Sequence, residues 1–103
     1  MMKALALKIY FEMVDNSKKE AVDLKKIRSW ADKVFPSGYT IYLTKGVWKG
    51  KTRDSFTIER YDKNLKLLKD KAFLGKIKEL ASHLKQEEIL LTGYIVKMEN
   101  ITT

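Results

Sequence analysis

With 103 residues, the chain has room for one domain with a single core, and its 45% hydrophobic and 33% charged residues exclude a disordered polypeptide. It contains no cysteine, which excludes disulfides, thiolate metal sites and cysteine nucleophiles. The net charge of +8 favours acidic partners, and no apolar run approaches the roughly 20 residues of a membrane helix, so the sequence indicates a soluble, cytoplasmic domain over residues 1–103.

The first element is predicted to be a long central strand over residues 4–14. Its odd positions are all apolar: Leu5, Leu7, Ile9, Phe11 and Met13. Because successive side chains of a strand point to opposite faces, these residues are expected to share one buried face.

A helix is predicted next, with Asp23 as its N-cap. Val22 and Ile27 flank the cap at the spacing of a hydrophobic staple. Pro36 is expected to end this helix, because the residue before a proline avoids the α region.

Two strands joined as a hairpin are predicted after Pro36. Apolar and polar residues alternate from Tyr39 to Thr44 and from Ser55 to Glu59, whereas residues 45–54 show no such alternation. The sequence therefore predicts a bulged hairpin, or a loop that spans residues 45–54.

A second helix and a last strand complete the chain. Asp70 is expected to cap the helix, and the alternation from Ile89 to Val96 predicts the strand. With right-handed crossovers, the order β-α-β-β-α-β favours an α+β domain of the ferredoxin-like kind. This fold is a four-stranded antiparallel sheet in the order 4-1-3-2 with both helices on one face.

Short motifs along most of the chain follow a common pattern. They are Tyr10-Phe11, Phe35-Pro36-Ser37-Gly38-Tyr39-Thr40, Gly46-Val47-Trp48, Glu59-Arg60 and Leu84-Lys85-Gln86-Glu87. In these motifs the chain resembles a family of small bacterial proteins that has no established activity. The resemblance implies the same fold and no particular chemistry.

The predicted sheet has one face without helices, and a group of tyrosines and carboxylates falls on it. Its members are Tyr10, Glu12, Tyr42, Glu59, Tyr61 and Tyr94. Three readings remain open: contact with a second copy of the chain, a ligand platform, and a hydrated surface. If Glu12 and Glu59 lie close together, one of the two carboxyl pKa values should rise, as an acid–base pair requires.

Basic residues are concentrated between the two strands of the hairpin. Lys45, Lys49, Lys51 and Arg53 accompany Trp48 there. Such a segment is typical of a finger that contacts a phosphate backbone or a single-stranded base. In the alternative interpretation, Trp48 folds back to close the end of the core while the lysines stay solvated.

The sequence favours a small non-catalytic binding or interaction protein that associates with itself through the sheet. The first alternative is nucleic-acid binding by the basic segment 45–53. The second is a dimeric α/β-barrel-like enzyme with Glu12 and Glu59 on the open sheet face. No cofactor and no metal site is predicted, since His83 is the sole histidine and there is no cysteine.

Overall fold

The computed structural model describes residues 2–12, 17–86 and 88–102, with the backbone alone at residues 17–21, Trp48 and Arg53. Met13, which the sequence assigns to the buried face of the first strand, lies outside these ranges. The elements are β1 (Met2–Glu12), α1 (Ser17–Val34), β2 (Thr40–Trp48), β3 (Lys51–Asp62), a 3₁₀ turn (Leu67–Lys69), α2 (Lys71–His83) and β4 (Leu90–Met98).

β1 is a central strand of the sheet. The strands are antiparallel and lie in the order β2-β3-β1-β4, which reads 4-1-3-2 from the other edge. Leu5, Leu7, Ile9 and Phe11 are all buried in the core. The alternation of apolar residues therefore identified the core face of this strand correctly.

The core lies between one face of the sheet and both helices. Phe56 and Ile58 of β3 join the apolar residues of β1 in one cluster with Ile27 of α1 and with Phe73 and Ile77 of α2. The predicted α+β class, with an antiparallel sheet and two helices, is confirmed.

The predicted start of α1 is wrong, because the helix begins at Ser17 and Asp23 lies within it. Asp23 is 3% exposed and stands four residues before Ile27 and eight before Ala31, which are also buried. Residues at this spacing share one side of a helix. Asp23 therefore belongs to the core-facing stripe, and the predicted staple of Val22 and Ile27 does not form around a cap.

Both ends of α2 are closed by hydrogen bonds. The carboxylate of Asp70 accepts from the backbone N–H of Phe73 at 3.0 Å, which confirms the predicted N-cap. At the other end, the N–H of Lys85 donates to Ser82 and that of Gln86 donates to Ala81. This is a Schellman motif, with Lys85 at φ 55° in the position that usually holds glycine.

The hairpin between β2 and β3 is tighter than the sequence predicts. The strands stay paired as far as Trp48 and Lys51, so only Lys49 and Gly50 form the turn. Both have positive φ, 50° and 77°, as a two-residue type I′ turn requires. The predicted loop over residues 45–54 is therefore wrong.

β4 forms one edge of the sheet. Its Gly93 lies beneath Leu68, and a Cβ at Gly93 would stand 2.8 Å from the Cδ1 atom of Leu68. Further along, Ile95 has the parity of the core face yet is 58% exposed, so the core stops short of this edge. Within the described ranges, neither helix has the length and hydropathy to cross a membrane.

Candidate functional site

The sheet face that points away from the helices, here called the open face, carries most of the site residues that the sequence predicts. The register of the strands arranges this face in rows. The central row holds Thr40, Glu59, Lys8 and Thr92, one flanking row holds Tyr42, Thr57, Tyr10 and Leu90, and the other holds Tyr61, Ala6 and Tyr94. The structure thus places the four tyrosines around Lys8 and Glu59.

An ion pair occupies the centre of the open face. The Nζ atom of Lys8 lies 3.7 Å from Oε2 of Glu59, and both side chains are between a quarter and a third exposed. The hydroxyl of Tyr42 donates to the same carboxylate oxygen at 3.4 Å. Glu59 therefore serves as the common acceptor of the face.

These groups shift one another's titration. The negative charges that Tyr42 and Tyr10 acquire on ionisation raise the pKa of Lys8, and the carboxylate of Glu59 adds to that effect. Burial, together with the charge of Glu59, raises the pKa of Tyr42. The charge of Glu59, followed by burial, raises the pKa of Tyr61. At neutral pH the centre therefore presents an ammonium group beside protonated phenols.

Small residues beneath the tyrosines are closed to solvent. Thr57 is fully buried and Ala6 is 3% exposed, although both belong to the open face. Each stands between two tyrosines in its row, and the larger neighbours shield it. By contrast, Tyr61 and Tyr94 are 47% and 58% exposed. The face therefore offers aromatic surface on its outside.

Glu12 and Glu59 do not form a carboxylate pair. Glu12 pairs in register with Ser55, four residues along β3 from Glu59. At about 3.4 Å per residue, this separates the two positions by roughly 14 Å. The acid–base pair suggested for these residues is therefore wrong, because the sequence shows that the two residues share a face but not how far apart they lie along it.

A groove of about 440 Å³, here called the end groove, lies where β1 ends. β1 supplies Tyr10, Phe11 and Glu12, the hairpin supplies Gly46, Val47, Asp54 and Ser55, and the segment before β4 supplies Glu88 and Leu90. Its walls are mainly apolar, and its charged lining residues are Glu12, Asp54 and Glu88. None of the described residues that line it is basic, although the chain has a net charge of +8.

Topology explains why three acidic residues meet at this groove. In an antiparallel sheet, the last residues of one strand lie beside the first residues of its neighbours. Glu12 ends β1, Asp54 lies in the first third of β3, and Glu88 stands just before β4. The site predicted from sequence included Tyr10 and Glu12 but missed Asp54 and Glu88. The predicted strand order together with the acidic residues near strand ends could have found them.

A hydrogen bond from Gln86 links the segment before β4 to the end of β1. Its Nε2 atom donates to the backbone oxygen of Glu12 at 2.5 Å. In the described part of the chain, its Oε1 atom is buried and has no hydrogen-bond partner. Gln86 therefore positions one wall of the end groove.

Comparison with solved structures identifies proteins of similar fold. A phage SAM lyase in complex with S-methyl-5′-thioadenosine is 18% identical, with a TM-score of 0.54 over 96% of this chain and 93% of that chain. A phage SAM lyase in the apo state is 19% identical, with a TM-score of 0.52 over 97% of this chain and 94% of that chain. A dimeric ferredoxin-like protein from an uncultured marine organism is 18% identical, with a TM-score of 0.48 over 98% of this chain and 94% of that chain. At this level of identity, the first two likenesses show a common fold.

No protein-family model and no curated protein matches the chain.

The basic residues predicted for nucleic acid lie on the paired strands of the hairpin, except Lys49, which lies in its two-residue turn. Lys45, Lys49 and Lys51 are exposed. The backbones of Trp48 and Arg53 are paired in the same hairpin, and the proposed contact of the Trp48 side chain with the core lies outside what the structure describes. The described residues also contain no group of three His, Cys, Asp or Glu side chains placed to hold a metal ion.

Proposed function

We propose that this protein is a small binding protein that holds a compact organic molecule in the end groove. The observation that carries the proposal is the groove itself, whose volume of about 440 Å³ falls within the roughly 300–1,000 Å³ that is usual for small-molecule sites. Apolar walls with a few convergent polar groups are typical of such sites.

The lining indicates the chemistry of the ligand. Tyr10 offers aromatic surface for a flat group, and Val47 and Leu90 offer aliphatic surface. Asp54 and Glu88 supply negative charge, and none of the lining residues that the structure describes carries a positive charge to offset it. A ligand with a flat, largely apolar body and a positive charge fits this combination.

S-adenosyl compounds have this chemistry, because S-adenosylmethionine joins a flat adenine to a positively charged sulfonium group. The phage SAM lyase of similar fold was solved with the neutral thioether S-methyl-5′-thioadenosine. We therefore propose S-adenosyl compounds as the ligand class. The proposal concerns binding and assigns no reaction to the protein.

Titration calorimetry with the cationic sulfonium and the neutral thioether tests the proposal. In Asp54→Asn/Glu88→Gln, affinity for S-adenosylmethionine is expected to fall by about 1–2 kcal/mol, roughly 5- to 30-fold. Affinity for S-methyl-5′-thioadenosine should change much less, because it carries no charge. Glu79→Gln, at an exposed position on α2, is the matched control and should bind both as the natural chain does. Absence of heat with either compound, or equal losses for both in the double variant, would contradict the proposal.

Self-association through the open face is a second candidate, favoured by the placement of Lys8 and Glu59. These residues are directly opposite on adjacent strands, so a two-fold axis between them would set Lys8 of each copy over Glu59 of the other. An isologous interface needs this kind of self-complementary surface. Exposed Tyr61, Tyr94 and Leu90 would supply apolar area around the charges.

Mass measurement by light scattering tests the second candidate. The natural chain should elute at twice the 12.0 kDa of one copy. Lys8→Glu should yield monomers, because acidic groups would then face each other across the axis, and Lys8→Glu/Glu59→Lys should restore the dimer. A monomeric natural chain, or one mass for all three proteins, would rule out this interface.

A further inference from the structure

In the part of the chain that the structure describes, the hairpin of β2 and β3 extends beyond the rest of the sheet. In the described ranges, the pairing of β1 with β3 ends at Glu12 and Ser55. β2 and β3 continue for four more residue pairs, from Lys45 and Asp54 to Trp48 and Lys51. This two-stranded extension, here called the arm (residues 45–54), projects by roughly 14 Å plus its turn, at about 3.4 Å per residue.

The arm has a narrow tip. A two-residue turn at Lys49 and Gly50 joins its strands, and no second layer of strands or helices widens it in the described residues. Neighbouring strands lie about 4.8 Å apart, so a two-stranded ribbon with its side chains is roughly 10 Å across. The major groove of B-DNA is about 12 Å wide and admits such a ribbon.

The arm also carries a concentration of positive charge. Residues 45–54 contain four basic residues and one acidic residue, Asp54. Lys45, Lys49 and Lys51 are exposed, with Lys49 and Lys51 at the tip and Asp54 at the base. The acidic residues of the end groove, Glu12, Asp54 and Glu88, likewise lie near the base, although its apolar lining extends along the arm to Val47. Attraction for phosphate is therefore strongest at the tip and is opposed near the body of the protein.

We propose that the arm binds double-stranded DNA, with its tip in the major groove and its lysines against the backbone phosphates. The two-stranded ribbon determines the fit to the groove, and the lysines supply an attraction that does not depend on sequence. This function goes beyond the ligand site, since none of the three lysines lines the end groove.

Fluorescence anisotropy of a labelled duplex at 50 and 200 mM salt tests the proposal. Three phosphate contacts correspond to a slope of about −2.7 in log affinity against log salt, or roughly 40-fold between these concentrations. The variant Lys45→Gln/Lys49→Gln/Lys51→Gln should lose this part of the slope. The matched control Lys25→Gln/Lys26→Gln/Lys78→Gln removes the same charge from exposed helix positions and should keep it.

Several outcomes overturn the proposal. They are no binding at 50 mM salt, binding that does not weaken with salt, equal losses in the arm variant and the helix control, and binding to a single strand as tight as to the duplex. Circular dichroism shows whether the arm variant is folded. Because this control does not depend on the ligand of the end groove, the two proposals fail independently.

Discussion

Tyr39 links the helical layer to the sheet through one hydroxyl group. Its Oη atom donates to Oδ1 of Asp32 in α1 at 2.7 Å, just before β2 begins. Burial, together with this hydrogen bond, raises the pKa of Tyr39. The folded protein therefore holds the phenolic proton more tightly than the unfolded chain does.

Tyr39→Phe is expected to lower the free energy of unfolding by about 1 kcal/mol at pH 7. A raised pKa stabilises the fold fully below the unfolded value of about 10, and the contribution is lost as pH rises through the folded value. The difference in the free energy of unfolding between the natural chain and Tyr39→Phe should therefore become smaller above about pH 10. Urea unfolding across neutral and alkaline pH measures it, and a gap independent of pH would refute the linkage.

Two strand glycines differ in the space around them. A Cβ at Gly93 would meet Leu68 and Leu5 at 2.8 and 3.0 Å, whereas one at Gly46 would meet nothing within 4 Å. Gly93→Val is therefore expected to lower the free energy of unfolding by about 1–3 kcal/mol, because the valine side chain overpacks this site. Gly46→Val should be neutral or slightly stabilising, because valine favours strands. Equal melting temperatures for both variants would contradict this reading of Gly93.

At the scale of the element, α2 depends on its N-cap. Asp70→Ala removes the acceptor of the Phe73 N–H and should destabilise the protein by about 1 kcal/mol. Asp70→Asn keeps an acceptor oxygen and should lower the stability of the protein clearly less than Asp70→Ala does. Thermal unfolding of both variants measures the difference, and equal losses would mean that the hydrogen bond is not the cause.

Asp70 and Asp23 show how far sequence reasoning reaches at this scale. Both residues satisfy the rule for an N-cap, yet only Asp70 begins its helix, while Asp23 lies inside α1 on the buried side. Whether a helix continues upstream of such a residue depends on what packs against the upstream turns. The residues next to the candidate N-cap do not indicate that packing.

The arm was missed for a related reason. Alternation reveals a strand only where one face is buried, and Gly46, Val47 and Thr52 of the arm are exposed on both sides. The turn also lacks the Asn-Gly or Asp-Gly signal, because Lys49 occupies its first position. By contrast, β1 and the inner part of β3 were predicted because one face of each meets the helices.

At the scale of the whole molecule, the arm contributes to an elongated shape. The radius of gyration is 14.6 Å, whereas a compact domain of this length has about 13 Å. The end groove also exists only at this scale, since β1, the hairpin and the segment before β4 each supply part of its lining. Strand order could predict that these ends meet, but not the size of the space between them.

A shortened protein tests whether the arm is independent of the core. Replacing residues 46–53 by Asn-Gly removes whole residue pairs and keeps the register of Lys45 with Asp54. Because the deleted pairs lie beyond β1, the free energy of unfolding is expected to change by less than about 1 kcal/mol. X-ray scattering should give a smaller radius of gyration. Loss of cooperative unfolding would show that the arm is needed by the core.

The outer edge of β4 has a consequence for handling the protein. From Ile89 to Val96 there is no charged residue and no proline, and this side of the strand has no neighbour in the described sheet. Its backbone amides and carbonyls are thus a template for a strand of another molecule. At high protein concentration, molecules are therefore expected to associate by strand pairing at this edge. A lysine introduced into β4 should reduce this association.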